Sequence, residues 1–442
     1  MTTLALTGDS ILQRRLLSTT DAEIKPLFDL IRGCDAAFTN LEVLPNDFHG
    51  DPAFDSGGSH FGAPSWVLDE LTEAGFGMFS TATNHTLDYS ISGLEYALDQ
   101  LYGRGLCHAG ACRHLEEARR TAYFTTPKAT IGMVACGSTF TKGQEAARQT
   151  HAMQGRPGLN PLWPDSTYEV TPDQMAVVQQ MAEGLGLEKF RQFRIGTGFA
   201  FEAPDVIFPF NGMNFRVGER TRHVRHPNPK DLAAIIRWVE ETKLASDIAM
   251  VSIHAHEHAN EKDEPADFIV EFAHAVIDAG ADIVVGHGPH LLRGMELYKG
   301  KPIFYSLGNF IGQNEMVRQL PGESYDRFRA DDQLTPTKLY KQRTKDDQKG
   351  FPSDVRYWQT VVPICRFEGY TLEEITIHPV SLGLGEKRHR RGRPRLASGQ
   401  EADKILKAYA MLSERYQTHM TCLLYTSPSP RDRTRSRMPS SA

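Results

Sequence analysis

The feature that most constrains this chain is a recurring unit: a short apolar run, a polar cluster, then helical periodicity. Apolar runs over 4–7, 36–41, 76–81, 130–136, 248–253 and 283–285 read as strands. Helical patterns fall between them, over 21–32, 64–75, 231–243 and 265–279. Leu87, Ile91, Leu94, Leu98 and Leu101 share one face at a 3.6-residue period and predict a further helix. Such alternation requires an α/β layer fold with helices covering the sheets. The strands expected over 302–306, 359–367 and 372–377 form a later, more antiparallel set, and 402–417 closes as a helix. Two stretches, about 137–228 and 312–357, break the rhythm; loops of that length either cover a binding site or are disordered.

Composition narrows the function classes. With 442 residues, 40% hydrophobic and 24% charged, a sizeable core is available and wholesale disorder is excluded. The net charge of −6 argues against nucleic acid, whose phosphates are met by Lys and Arg. No run of 18 apolar residues exists to span a bilayer. The N-terminus lacks a basic segment followed by an apolar one, so the chain as given reads as soluble and cytoplasmic, or as membrane-associated or exported if that end is incomplete. Six scattered cysteines read as reduced thiols. From 422 to 442 the composition turns to Ser, Pro and Arg without apolar periodicity, which reads as a non-native or disordered tail. Its four Arg against one Asp carry +3, so the net charge of −6 becomes −9 without it.

Five polar clusters sit where apolar runs end: Gly8-Asp9-Ser10, Asn40-Leu41-Glu42, Thr83-Asn84-His85, His254-Ala-His256-Glu-His258 and Gly286-His287-Gly-Pro-His290. The carboxyl ends of strands form the ligand-binding crevice of open α/β sheets. Asp, Glu, Asn and His are ligands for Zn, Mn, Fe or Mg, and no cysteine joins them. His256, Glu257 and His258 are secondary candidates; on a continuing strand His254, His256 and His258 would share a face.

The stretches Leu6-Thr-Gly-Asp9, Thr39-Asn-Leu-Glu42, Ala82-Thr-Asn-His-Thr-Leu-Asp88, Gly286-His-Gly-Pro-His290 and Tyr305-Ser-Leu-Gly-Asn-Phe310 occur in one order. Together they resemble the poly-γ-glutamate capsule-biosynthesis (CapA) family, within the calcineurin-like metallophosphoesterase superfamily. The resemblance implies a four-layer α/β/β/α sandwich of the metallophosphatase type. It would be a single domain over 1–421, with the two irregular stretches as covering insertions and a centre of two divalent ions. Carried over, Asp9 would ligate one metal, Glu42 would bridge, Asn84 and His254 would hold the second, and His287 and His290 would complete the shells. His85 would be the non-ligating histidine serving the leaving group, with Asp88 orienting it or merely facing a helix dipole. Asp9 is followed by Ser10 rather than by the Asp-x-His of most phosphoesterases, and Glu42 replaces a bridging Asp. Asn309 reads as a turn residue.

Arg156, Arg391 and Arg393 are candidates for holding an anionic small molecule or polymer, because guanidinium grips carboxylate and phosphate in bidentate fashion. The expected function is that of a CapA-like, metal-dependent hydrolase acting on a phosphoester or γ-glutamyl-type amide through a metal-activated water. The competing expectation is a non-catalytic capsule-assembly or polyanion-binding protein with a partial metal site.

Overall fold

A computed structural model describes residues 1–56, 58–423 and 433–436. Its first strand, Thr2–Ile11, pairs in parallel with Ala36–Leu41, which pairs with Met78–Ser80 and then Cys107–Ala109. Gln359–Glu368 and Thr371–Ser381 extend this sheet antiparallel on the other side. A second sheet places Thr130–Gly137, Ile248–His254, Ile283–His287 and Lys301–Leu307 in parallel, with antiparallel edges Ala122–Thr125 and Leu292–Tyr298.

Side-chain alternation explains how the sheets stack. Leu4 and Leu6 point one way, with Phe38, Met78, Met133, Met250, Val285 and Phe304, and form the core between the sheets. Ala5, Ala37 and Phe79 point the other way, against the helices Lys25–Arg32 and Trp66–Glu73. Val134, Val251 and Val284 face the helices Pro229–Ala245 and Asp267–Asp278. The result is the expected four-layer α/β/β/α sandwich, whose parallel strands are apolar on both faces because both are covered.

One sequence expectation changes. The stretch 137–228 is not irregular: Phe208–Phe210, Met213–Val217, Pro164–Val170 and Arg222–Pro227 form a four-stranded sheet in that order, and Pro172–Gly184 and Leu187–Gly196 are helices. Apolar periodicity missed this sheet because polar contacts hold it. Glu169 pairs with Arg222 and with Arg216 at 2.5 Å, and Tyr168 stacks on His223 at 4.4 Å. The stretch 312–357 has only short helices, among them Gly322–Arg327 and Pro336–Arg343. The tail expectation from 422 lies mostly outside the described residues; within it, Thr421–Leu423 and Arg433–Ser436 pair as strands, the latter against Thr371–Ser381. Among the described residues, no helix is long and apolar enough to cross a membrane.

Candidate metal centre

The site forms where the two parallel sheets present their carboxyl ends to each other. Asp9 lies in register with Asn40 on one side and Asn309 on the other, and His254 lies in register with His287. Gly8 makes the pairing with Asn309 possible. A Cβ there would sit 1.9 Å from the Gly308 carbonyl oxygen, and the next amide, of Asp9, donates to that oxygen at 2.9 Å. Opposite, Gly288 at φ +117° and His290 at φ +64° hold the loop after His287 in the left-handed region. There the Gly288 amide donates to Asp9 Oδ2 at 3.1 Å. A histidine held in that conformation stores strain, which is common at functional sites.

Two donor sets result: Asp9 with His254 and His287, and Glu42 with His256 and His290. Within each set the ligand atoms lie within 4.8 Å of one another. Asp9 Oδ2 is 3.2 Å from His290 Nδ1, and Glu42 Oε2 is 3.4 Å from His254 Nδ1, so the sets share a wall. Asn84 Oδ1 lies 2.8 Å from His254 Nε2. All six metal ligands expected from sequence (Asp9, Glu42, Asn84, His254, His287 and His290) therefore converge. His256 completes the second set because the strand ends at His254 and the chain turns. His258 is consequently exposed, not on the same face, and Glu257 is occupied by the Ser138 and Thr139 hydroxyls, each at 2.8 Å.

The electrostatics fit divalent cations. Burial works against ionising Asp9, yet the hydrogen bond and charge of His290, with His254 and His287 behind, hold its carboxyl well below the usual range. Burial, then the charge of Asp9, pushes Glu42 well above its ordinary value. Burial drives His254 and His256 well below theirs, each helped by a neighbouring imidazole, and takes His287 down to about 4. Neutral imidazoles have the lone pairs that metals need. His254 Nδ1 faces His287 Nδ1 at 2.9 Å, and its Nε2 faces His256 Nε2 at 3.1 Å. Each such pair of nitrogens can share at most one proton. Glu42 Oε1 and Asn40 Oδ1 are buried without a hydrogen-bond partner. Cations between these groups would satisfy what the protein leaves unsatisfied.

Supporting residues fix the ligands. Asn40 Nδ2 reaches both Asp9 Oδ1 at 2.9 Å and Glu42 Oε2 at 2.6 Å. Ser252 Oγ engages His287 Nε2 at 2.7 Å, and Asn309 Oδ1 engages His290 Nδ1 at 2.9 Å, so Asn309 is more than a turn residue. Such outer partners set ring orientation. The fully buried Arg293 donates to the carbonyls of Ala255, His256, Glu257 and Lys262, at 2.8 to 3.4 Å, and pins the turn that carries His256. Only the roles of Asn40 and His256 had a sequence signal, their places in the polar clusters; Arg293 sits in an ordinary strand pattern.

His85 stands beside both sets. Its Nδ1 is 2.7 Å from Asp88 Oδ2, and its Nε2 is 4.0 Å from Glu42 Oε1. Asp88 Oδ2 also accepts the Phe61 amide at 2.6 Å, and the residue lies two positions before the helix Ser90–Gly103. His85, Asn84, His256 and His290 open onto a cavity of about 320 Å³, whose far wall comes from 314–357.

The structure does not bring the three expected arginines to this cavity. Arg156 bonds the Glu145 carbonyl and carboxylate. Arg391, 5% exposed, makes two 2.6 Å bonds to Glu315. Arg393 is paired with Asp21. Each is paired with an acid of the fold.

Residues 3–314 match the model of the family described as bacterial capsule synthesis protein PGA_cap. The uncharacterized protein y4sH of Sinorhizobium fredii is 31% identical over 432 residues, covering 95% of this chain and 91% of that protein. The PGA biosynthesis protein CapA of Bacillus subtilis is 45% identical over 84 residues, 19% of this chain and 21% of that one. The capsule biosynthesis protein CapA of Bacillus anthracis is 22% identical over 316 residues, 70% of this chain and 59% of that one. By the extent of the first two matches, the chain belongs to the bacterial capsule synthesis protein PGA_cap family.

Proposed function

We propose that this chain is a metal-dependent hydrolase with a capsule-related role, cleaving a phosphoester or a γ-glutamyl-type amide with a metal-activated water. The carrying observation is the pair of adjoining donor sets with His85 beside them, tethered through Nδ1 to a buried carboxylate. Two divalent cations (Mn, Fe, Zn or Mg) would supply Lewis-acid polarisation and a water acidic enough to attack near neutral pH. Asp9, His254 and His287 would hold one, and Glu42, His256 and His290 the other, with Asn84 beside His254.

The chain's own residues then handle the proton and the geometry. With Nδ1 engaged by Asp88 and Nε2 3.2 Å from the Asn84 amide nitrogen, His85 borders the cavity, where as the imidazolium it can pass its Nε2 proton to a leaving oxygen or nitrogen. Phe61 lies 4.3 Å from the His85 ring and shields that side from water. Asn40 keeps the two acidic side chains apart and oriented through one amide.

The test is a panel of phosphomonoesters, phosphodiesters and γ-glutamyl amides offered to metal-loaded protein. Wild type is expected to turn over one class, and His85→Ala to lose about 10²- to 10⁴-fold in kcat at unchanged metal content. Absence of turnover with every metal and class would sink the hydrolase. Turnover that ignores His85→Ala would sink its proton-transfer role.

A further inference from the structure

The far wall of the cavity carries charge of its own. Arg343 and Lys349 line it, Lys262 lines the cavity from the turn after His256, and none of the three is in an ion pair with a carboxylate among the described residues. Lys262 donates to the Tyr357 hydroxyl at 2.7 Å and lies 4.7 Å over that ring. Arg343 stacks 4.5 Å over Phe328 and 5.8 Å over Tyr340. Aromatic faces hold these cations in place without neutralising them. The acid on this wall, Glu315, is cancelled by Arg391 at 2.6 Å, with Arg388 3.7 Å away. A net negative molecule thus turns a positive wall toward its metal-ligand cluster. Between wall and cluster lies an apolar strip: Phe351 is 4.3 Å from Tyr357 and 5.4 Å from His290, ring to ring.

We propose that Lys262, Arg343 and Lys349 form an anion subsite, so that the substrate carries, beside its scissile group, a second anionic group that is a carboxylate or a phosphate. This rests on the hydrolase reading for the scissile group alone; anion binding by the wall stands without it. The acidic cluster attracts cations and the wall attracts anions, so a bound molecule is oriented end to end. Phe351 and Tyr357 receive the apolar part between its ends. This also explains why Arg156, Arg391 and Arg393 can be absorbed into ion pairs: positive charge for the substrate comes from 262 and 343–349 instead.

The experiment is calorimetric titration of the metal-loaded chain with glutarate, pyrophosphate and the neutral diamide glutaramide. Wild type is expected to bind glutarate or pyrophosphate, whichever is preferred naming the second anion, and to bind glutaramide at least tenfold more weakly. The triple variant Lys262→Met, Arg343→Gln, Lys349→Gln is expected to bind the preferred anion about tenfold more weakly, with the metal content of wild type. Raising salt should weaken wild-type binding and leave the triple variant less affected. The charge-conserving variant Lys262→Arg, Arg343→Lys, Lys349→Arg should restore binding. Equal binding of glutarate and glutaramide, or undiminished anion binding by the triple variant, overturns the subsite. Anion binding that passes these tests in a protein without turnover keeps the subsite and discards the hydrolase.

Discussion

The two stretches that interrupt the strand–helix alternation went opposite ways. The first, about 137–228, folded into a sheet and two helices that contribute nothing to the lining of the cavity. The second, 312–357, has little regular structure, yet supplies the wall opposite the candidate metal ligands. What separates them is where their polar contacts go. Glu169 in the first binds Arg216 and Arg222 of the same small sheet. In the second, Glu315 and Asp347 are both gripped by Arg391, which ties the segment back to the main body at the edge of the site. Regular structure is therefore a poor guide to functional involvement here: the first stretch reaches the site at its start, through Ser138 and Thr139 on Glu257, yet lines none of the cavity, whereas the second supplies its wall.

Perturbations on either side should differ in size. The largest concerns the frame that the second stretch faces: Asp9→Asn is expected to abolish tight binding by its donor set and to lower turnover by at least about 10²-fold, read by metal content and kinetics. Next, Glu315→Gln leaves the buried Arg391 guanidinium short of its main partner and should cost about 3–5 kcal/mol in denaturant unfolding.

The third effect is in pH. His287 is buried and held near 4 in the fold against about 6.5 when free, so the unfolded chain binds the extra proton between those values. The metal-free protein should therefore lose stability as pH falls from about 6.5 toward 4, by about 3 kcal/mol from this group alone. Melting at pH 7 and pH 5 after chelation, with His287→Gln showing a flatter profile, checks the sign. Smallest is Glu169→Gln. Its arginine partners are about half or more than a third exposed, so it should cost less than about 1 kcal/mol and leave kinetics unchanged. A stability cost there as large as that of Glu315→Gln would erase the contrast between the stretches.

Legibility in the sequence followed the same divide. Ala36–Leu41 and the parallel strands around it were readable because burial on both faces makes them continuously apolar. The candidate ligands were readable because they cluster at or near the ends of such strands. His256 was only half visible, since its place depends on a turn held by Arg293, far away in sequence. The sheet built on Pro164–Val170 was invisible to periodicity, because ion pairs and ring stacking stabilise it. Arg391 looked like a substrate residue because composition cannot distinguish a free guanidinium from one facing a buried Glu. Lys262, Arg343 and Lys349 carry no motif at all; only the fold of 312–357 over the metal ligands brings them together.

The central claim is that the two donor sets hold cations side by side. Equilibrium dialysis against Mn or Zn, followed by elemental analysis of the full-length protein, measures this directly. Two ions per chain are expected in wild type, one lost in His254→Ala and one in His256→Ala. Fewer than one ion in wild type, or two retained in both variants, would contradict it.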